Sequence, residues 1–208
     1  MSLQLDPLID KFKQAAMKLI SRDWARSFFG NISILIDDDY EDLPVKEEYP
    51  SPVKIEDLQG SSLMITRTTS TMAEIIESPD KSLGLYQLKD GNLNLIWGCG
   101  PPTSELSAHL LAYSSSKGKA IIHCHMDIIS KISGRYPHGP PLPANCSWAG
   151  DLEAGSMELA QATAEALKGT DTVIWKDHGV ISCTNDLSGC YQRIVEVWSY
   201  LNDLVDHD

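Results

Sequence analysis

The chain has 208 residues, a formal net charge of −12, 42% apolar and 22% charged residues. This length and composition suit one soluble globular domain spanning residues 1–208. The acidic balance excludes the basic face that nucleic acid or an anionic membrane surface would require.

The predicted elements follow in chain order. Asp6-Pro7 is a helix start, with a capping side chain before proline at the first helical position. Leu8, Phe12, Ala15, Ala16, Leu19 and Ile20 recur at helical spacing, so a helix is expected from Pro7 to about Trp24. Ile32–Ile36 reads as a strand, and the acidic, proline-bearing stretch Asp37–Pro52 as an exposed loop. Ser62–Thr66 is a strand followed by a polar Thr/Ser-rich loop. Leu83–Leu88 and Leu93–Trp97 flank Asp90-Gly91-Asn92 as a hairpin. Residues Cys99–Ser104 form a loop. Glu105 opens a helix to about Ser115, with Leu106, Leu110 and Leu111 facing inward. Lys119–His125 is a buried strand, and Gly134–Ala149, rich in proline and glycine, a surface excursion. Ser156–Leu167 is a helix stopped by Gly169, and Thr172–Trp175 a strand leading to His178. Asn185 caps a last helix to about Leu204, with Ile194, Val197, Trp198 and Leu201 as its apolar stripe. This mixture suggests an α/β fold, a three-layer α/β/α sandwich, or else an α+β domain, in either case around a largely antiparallel central sheet.

No basic n-region followed by an apolar h-region opens the chain, and no apolar stretch has the length of a membrane span. The five cysteines are odd in number and form no Cys-x-x-Cys pair, which reads as reduced thiols in a cytoplasmic setting.

The chemistry concentrates at His123-Cys124-His125. Side chains alternate along a strand, so His123 and His125 share one face, about 7 Å apart, and Cys124 points to the other. A His-x-His pair alone is also compatible with a hydrogen-bonded core feature. Here a third imidazole, His178, follows a second apolar run and precedes Gly179. Three histidines with a fourth position free are the pattern of a catalytic metal, whereas structural zinc is usually closed by four ligands. Three loops offer neutral donors for an anion: Gly30-Asn31, the run Thr66–Ser70, and Pro102-Thr103-Ser104 ahead of Glu105. Taken singly, each can also be a simple turn or helix cap.

Gly30-Asn31-Ile32-Ser33, Pro102-Thr103-Ser104-Glu105 with His109 one turn on, Ile121-Ile122-His123-Cys124-His125 and Asp177-His178-Gly179, in this order, resemble the class II aldolase/adducin family over nearly the whole chain. Leu95-Ile96-Trp97-Gly98 and Val173-Ile174-Trp175 lean toward its rhamnulose- and fuculose-1-phosphate aldolase branch. The resemblance implies an antiparallel sheet flanked by helices and a homotetramer with active sites between subunits. It implies a Zn2+ or other divalent cofactor on His123, His125 and His178. Its substrate would be a ketose 1-phosphate, cleaved through an enediolate to dihydroxyacetone phosphate and an aldehyde. Glu105 would be the catalytic acid/base, and Asn31, Thr68, Thr103 and Ser104 would hold the phosphate. Related epimerases of the family tend to carry aspartate at the position of Glu105. An epimerase or dehydratase of the same family, and a non-catalytic adducin-like domain, stay open as alternatives. The chain departs from the family in Thr69, where glycine is usual, in Arg67 beside it, and in Phe28 and Phe29 before Gly30.

Overall fold

The computed structural model describes residues 5–37, 40 and 43–206. The first four residues, part of the expected acidic loop (38, 39, 41 and 42) and the last two residues lie outside the described ones. Among the described residues nine strands form one sheet, flanked by seven α-helices. The strands are β1 (Asn31–Ile36), β2 (Glu47–Pro50), β3 (Ser62–Thr66), β4 (Leu83–Lys89), β5 (Asn92–Gly98), β6 (Ala120–Cys124), β7 (Cys146–Ala149), β8 (Thr172–Trp175) and β9 (Gly179–Thr184). Their order is β2-β5-β4-β3-β1-β6-β9-β8-β7. Only the edge pair β7 and β8 is parallel; every other neighbouring pair is antiparallel.

The helices are α1 (Asp6–Ser21), α2 (Met72–Glu77), the one-turn α3 (Pro79–Ser82), α4 (Leu106–Ser115), α5 (Asp127–Arg135), α6 (Met157–Ala166) and α7 (Leu187–Asp206). Strand alternation splits the core in two. Ile32, Ile122, Cys124, Ile174 and Val180 point to one face, where they pack with α1, α2, α5 and α7 through Phe12, Ile75, Ile129 and Ile194. Ile121, Val173, Trp175 and Ile181 point to the other, under α4 and α6 through Leu106, Leu110 and Leu159. The predicted three-layer α/β/α arrangement with a largely antiparallel sheet is therefore the observed one. The buried apolar side chains, at roughly 1.5–3 kcal/mol each, hold the layers together.

Several element readings are corrected. The first helix begins at Asp6 with Leu5 flanking it, so Asp6 stands in the first turn rather than capping it. It ends at Ser21 because Asp23 takes a left-handed backbone (φ 59°). The Thr/Ser-rich loop after β3 hides α2, which opens on a reciprocal cap: the Thr71 hydroxyl accepts from Glu74 N–H, and the Glu74 carboxylate accepts from Thr71 N–H. Strand β2 lies within the expected acidic loop and pairs at the sheet edge with β5. The stretch Gly134–Ala149 begins inside α5 and ends in β7. The last helix is opened by Asp186 rather than Asn185, its carboxylate accepting from Gly189 N–H at 2.8 Å. Leu111 and Trp198 are only partly buried. All five cysteines are free thiols. No helix among the described residues is long and apolar enough to cross a membrane.

Ile194 is fully buried where α7 meets the sheet. Ile194→Ala should lower unfolding stability by about 2–5 kcal/mol in urea titration. A loss below about 1 kcal/mol would contradict this packing.

Candidate active site

The site forms where β1, β6 and β9 lie side by side. Asn31 stands directly opposite His123 across β1 and β6, and His123 stands opposite Ile181 across β6 and β9. Residues opposed in a ladder share a face, so Asn31 and His123 look out together toward α4. Two glycines allow this closeness. A side chain at Gly30, which also holds φ +83°, would stand 2.8 Å from the His123 carbonyl. One at Gly179 would stand 2.4 Å from the Cys124 carbonyl and 3.0 Å from His123 Cε1.

His125 lies just past the end of β6, where its N–H donates to the Trp24 carbonyl at 2.8 Å and Phe29 stacks on its ring at 4.8 Å. His178 hangs from the three-residue tip joining β8 and β9, whose register closes with Trp175 opposite Gly179. Asp177 takes a left-handed backbone there (φ 55°), a conformation aspartate tolerates better than most residues. Its N–H donates to Ser133 Oγ at 2.9 Å. Trp175 lies beside His123 and His178, ring centres 4.5 and 5.0 Å away, and its indole N–H donates to Thr163 on α6.

The three predicted imidazoles thus converge. One nitrogen from each of His123, His125 and His178 lies within 4.8 Å of the others, and no other such cluster of histidine, cysteine or carboxylate groups occurs among the described residues. The donor set fits a metal. His123 Nδ1–H donates to the Val180 carbonyl at 3.0 Å, which fixes its tautomer and leaves Nε2 as a free lone pair. Nε2 of His123 and Nε2 of His125 are 3.0 Å apart. Nitrogens sharing one tetrahedral zinc stand about 3.3 Å apart, so little movement is needed. His178 Nδ1 is buried with no hydrogen-bond partner among the described residues. Burial holds all three rings neutral: His123 well below the usual imidazole range, His125 at about 3, and His178 lowered against the pull of Glu105. Neutral imidazole is the form that ligates.

Glu105 immediately precedes α4. Its Oε2 lies 3.4 Å from His123 Nε2 and its Oε1 3.3 Å from His178 Nε2. Oε2 also accepts from Asn31 Nδ2–H at 2.6 Å, while Asn31 Oδ1 stands 2.5 Å from His109 Nε2. Asn31 is therefore at the site as expected, with both ends of its amide already bonded. Thr68, Thr103 and Ser104 line one cavity of about 280 Å3, together with Glu105, His125 and His178. The backbone ties the two hydroxyl loops together, with Thr68 N–H donating to the Pro101 carbonyl and Thr103 N–H to the Thr66 carbonyl. Sequence reasoning missed Trp175 as the ring beside two histidines, and Ser33 and Tyr113 behind the carboxylate.

The chain belongs to the class II aldolase/adducin family: the family described as "Class II Aldolase and Adducin N-terminal domain" matches residues 11–201. A rhamnulose-1-phosphate aldolase of Listeria monocytogenes serotype 4a (strain HCC23) is 25% identical over 209 residues, covering 83% of this chain and 74% of that one. A sugar-phosphate aldolase from Thermotoga maritima has a crystal structure similar to this one, with TM-score 0.80 and 25% identity over 97% of this chain and 95% of that one. The L-fuculose-1-phosphate aldolase of Thermus thermophilus shares the fold, with TM-score 0.63 and 16% identity over 98% and 96% of the two chains.

The backbone and the buried imidazoles each lend themselves to a measurement. Thr69 holds φ +60°, which is strained for a β-branched residue. Thr69→Gly should raise stability by about 0.5–1 kcal/mol in thermal or urea unfolding, and a clear loss would show the strain to be absent. The second measurement concerns pH. Fully buried His109 is pushed down to about 3 from 6.5, so between these values the unfolded chain binds a proton that the folded chain does not. The contribution of His109 to stability is therefore full above pH 6.5 and is lost as pH drops through that window, by up to about 1.4 kcal/mol per pH unit. Urea unfolding in chelator at pH 7, 6 and 5 should show His109→Asn losing about that share of the slope.

Proposed function

We propose that this chain is a metal-dependent aldolase reversibly cleaving a ketose 1-phosphate of the rhamnulose- or fuculose-1-phosphate type to dihydroxyacetone phosphate and an aldehyde. The observation that carries this reading is the convergence of three neutral imidazoles with one carboxylate, of which His125, His178 and Glu105 line a cavity shared with the hydroxyl-bearing loops. The sugar-phosphate aldolases among its relatives support it.

His123, His125 and His178 would hold the ion, zinc or another divalent metal that accepts imidazole, leaving a side open toward the cavity. When bound, that ion supplies Lewis-acid stabilisation of the negative charge that develops when the carbon–carbon bond beside the ketone breaks. The chain's own residues do the rest. As the carbon–carbon bond breaks, the hydroxyl that becomes the aldehyde loses its proton to water. Glu105, protonated in turn from water, gives a proton to the carbon that keeps the bonding electron pair, completing dihydroxyacetone phosphate, and in the reverse direction removes it. Positioned acid/base groups of this kind contribute ~10²–10⁴-fold. Thr68, Thr103 and Ser104 donate hydroxyl hydrogen bonds to the phosphate, against the overall acidic field of the chain. The Asn31 side chain is given an orienting role on Glu105 in place of the phosphate contact expected from sequence, because its amide is already bonded at both ends.

A homo-oligomer, a tetramer by the family resemblance, accords with the exposed Phe28 and Phe29 at the cavity rim, 64% and 55% accessible. The domain reading is one unit over the chain.

Assay of several ketose 1-phosphates should show cleavage that a chelator abolishes and zinc restores. Glu105→Gln should lower kcat by ~10²–10⁴-fold while the bound metal per chain stays unchanged. Activity surviving both metal removal and Glu105→Gln would sink the mechanism. NMR of the products showing an interconverted sugar and no aldehyde would assign the site to an epimerase instead.

A further inference from the structure

Behind Glu105 runs a chain of buried polar side chains of which the proposed chemistry uses only the first, Asn31. Asn31 Nδ2 is 2.6 Å from Glu105 Oε2, His109 Nε2 is 2.5 Å from Asn31 Oδ1, Ser33 Oγ is 2.7 Å from His109 Nδ1, and Tyr113 OH is 2.7 Å from Ser33 Oγ. Ser33 and His109 are fully buried, and Asn31 and Tyr113 nearly so. A buried polar group without a partner costs about 1–3 kcal/mol, so a run of four in an otherwise apolar layer demands an account.

We propose that His109, Ser33 and Tyr113 are positioning residues that lock the Asn31 amide, and through it the carboxylate of Glu105, in one orientation. The inference rests on Glu105 being the acid/base group.

The direction of every bond follows from chemistry. A carboxylate only accepts, so Asn31 must turn its NH2 toward Glu105 and its carbonyl toward His109. That carbonyl also only accepts, so His109 carries its proton on Nε2. Nδ1 is then bare and accepts from the Ser33 hydroxyl, whose oxygen in turn accepts from Tyr113. One amide orientation satisfies all five groups. The flipped amide would set oxygen against carboxylate, breaking that bond, and would keep the His109 bond only if the ring moved its proton to Nδ1. Burial keeps His109 neutral, so this pattern persists over the ordinary pH range. An amide does not pass protons along such a chain. The network therefore fixes geometry and conducts nothing.

What it fixes is the carboxylate relative to the imidazoles. Asn31 is paired in register with His123, so an amide locked on β1 holds Oε2 at a set distance from a nitrogen on β6. Without that anchor the carboxylate can rotate toward the imidazole nitrogens 3.3–3.4 Å away. It would then leave the position from which it reaches substrate carbon.

The test uses His109→Phe, which empties the middle of the chain, and Ser33→Ala and Tyr113→Phe, which each remove one hydroxyl. Metal content, kcat and KM are measured on the metal-loaded protein, with thermal melts to confirm folding. The expected result is a kcat lowered roughly 10–100-fold for His109→Phe and several-fold for Ser33→Ala, with KM and bound metal within two-fold. Nitrogen-15 NMR of the His109 ring in the unsubstituted protein supplies a second readout, which should show the Nε2–H tautomer at neutral pH. In Ser33→Ala this preference should weaken. A kcat within two-fold of the unsubstituted protein for folded His109→Phe and Ser33→Ala overturns the proposal, and so does an Nδ1–H tautomer. Should the protein cleave no ketose phosphate, the aldolase reading fails and the tautomer measurement alone decides the network.

Discussion

Every distance at the site depends on the register of β6 between β1 and β9. That pairing sets Asn31 across from His123 and His123 across from Ile181. It brings the Val180 carbonyl to the ring nitrogen of His123 that must not ligate. Because side chains alternate, a slip of one residue would send His123 into the core beneath α1 and α7 and turn Cys124 toward the cavity. The large apolar clusters on both faces prevent that slip. The register of the site is thus enforced by residues that never meet substrate.

The electrostatics oppose intuition. A chain with net charge −12 holds its reactive cluster neutral, and burial does so by disfavouring the charged form of each imidazole. The cost is instability at low pH. The gain is a set of lone pairs available at neutral pH without competition from protons. Thr68, Thr103 and Ser104 line the cavity beside these imidazoles, with Arg67 as the one cationic side chain among the cavity's lining residues.

Much of this was legible in the sequence. The layered fold, the two-residue spacing of His123 and His125, and the third histidine after an apolar run all carry local signals of period or composition. Short elements were not legible, because tertiary contacts make them. Strand β2 reads as an acidic loop and becomes a strand only by pairing with β5, and β7 is a four-residue edge strand inside a proline-rich stretch. Helix α2 does carry a local signal, Thr71 and Glu74 three residues apart, though the polar run around it reads as loop. The network behind Glu105 also has one. Glu105, His109 and Tyr113 recur every fourth residue along one helix face, while Asn31 and Ser33 recur every second along one strand face. Neither period singles out these residues alone; only the packing of α4 on β1 makes the two sets meet.

Two of the three histidines are tethered from the far layer. The main chain of His125 is held by the Trp24 carbonyl just past α1, and that of Asp177, next to His178, by the Ser133 hydroxyl on α5. The thicker helical layer therefore works as a chassis for the reactive loops. Changes at the end of α1 or along α5 can therefore shift His125 and His178, each through a single backbone strut, while leaving the identity of every side chain in the cluster unchanged.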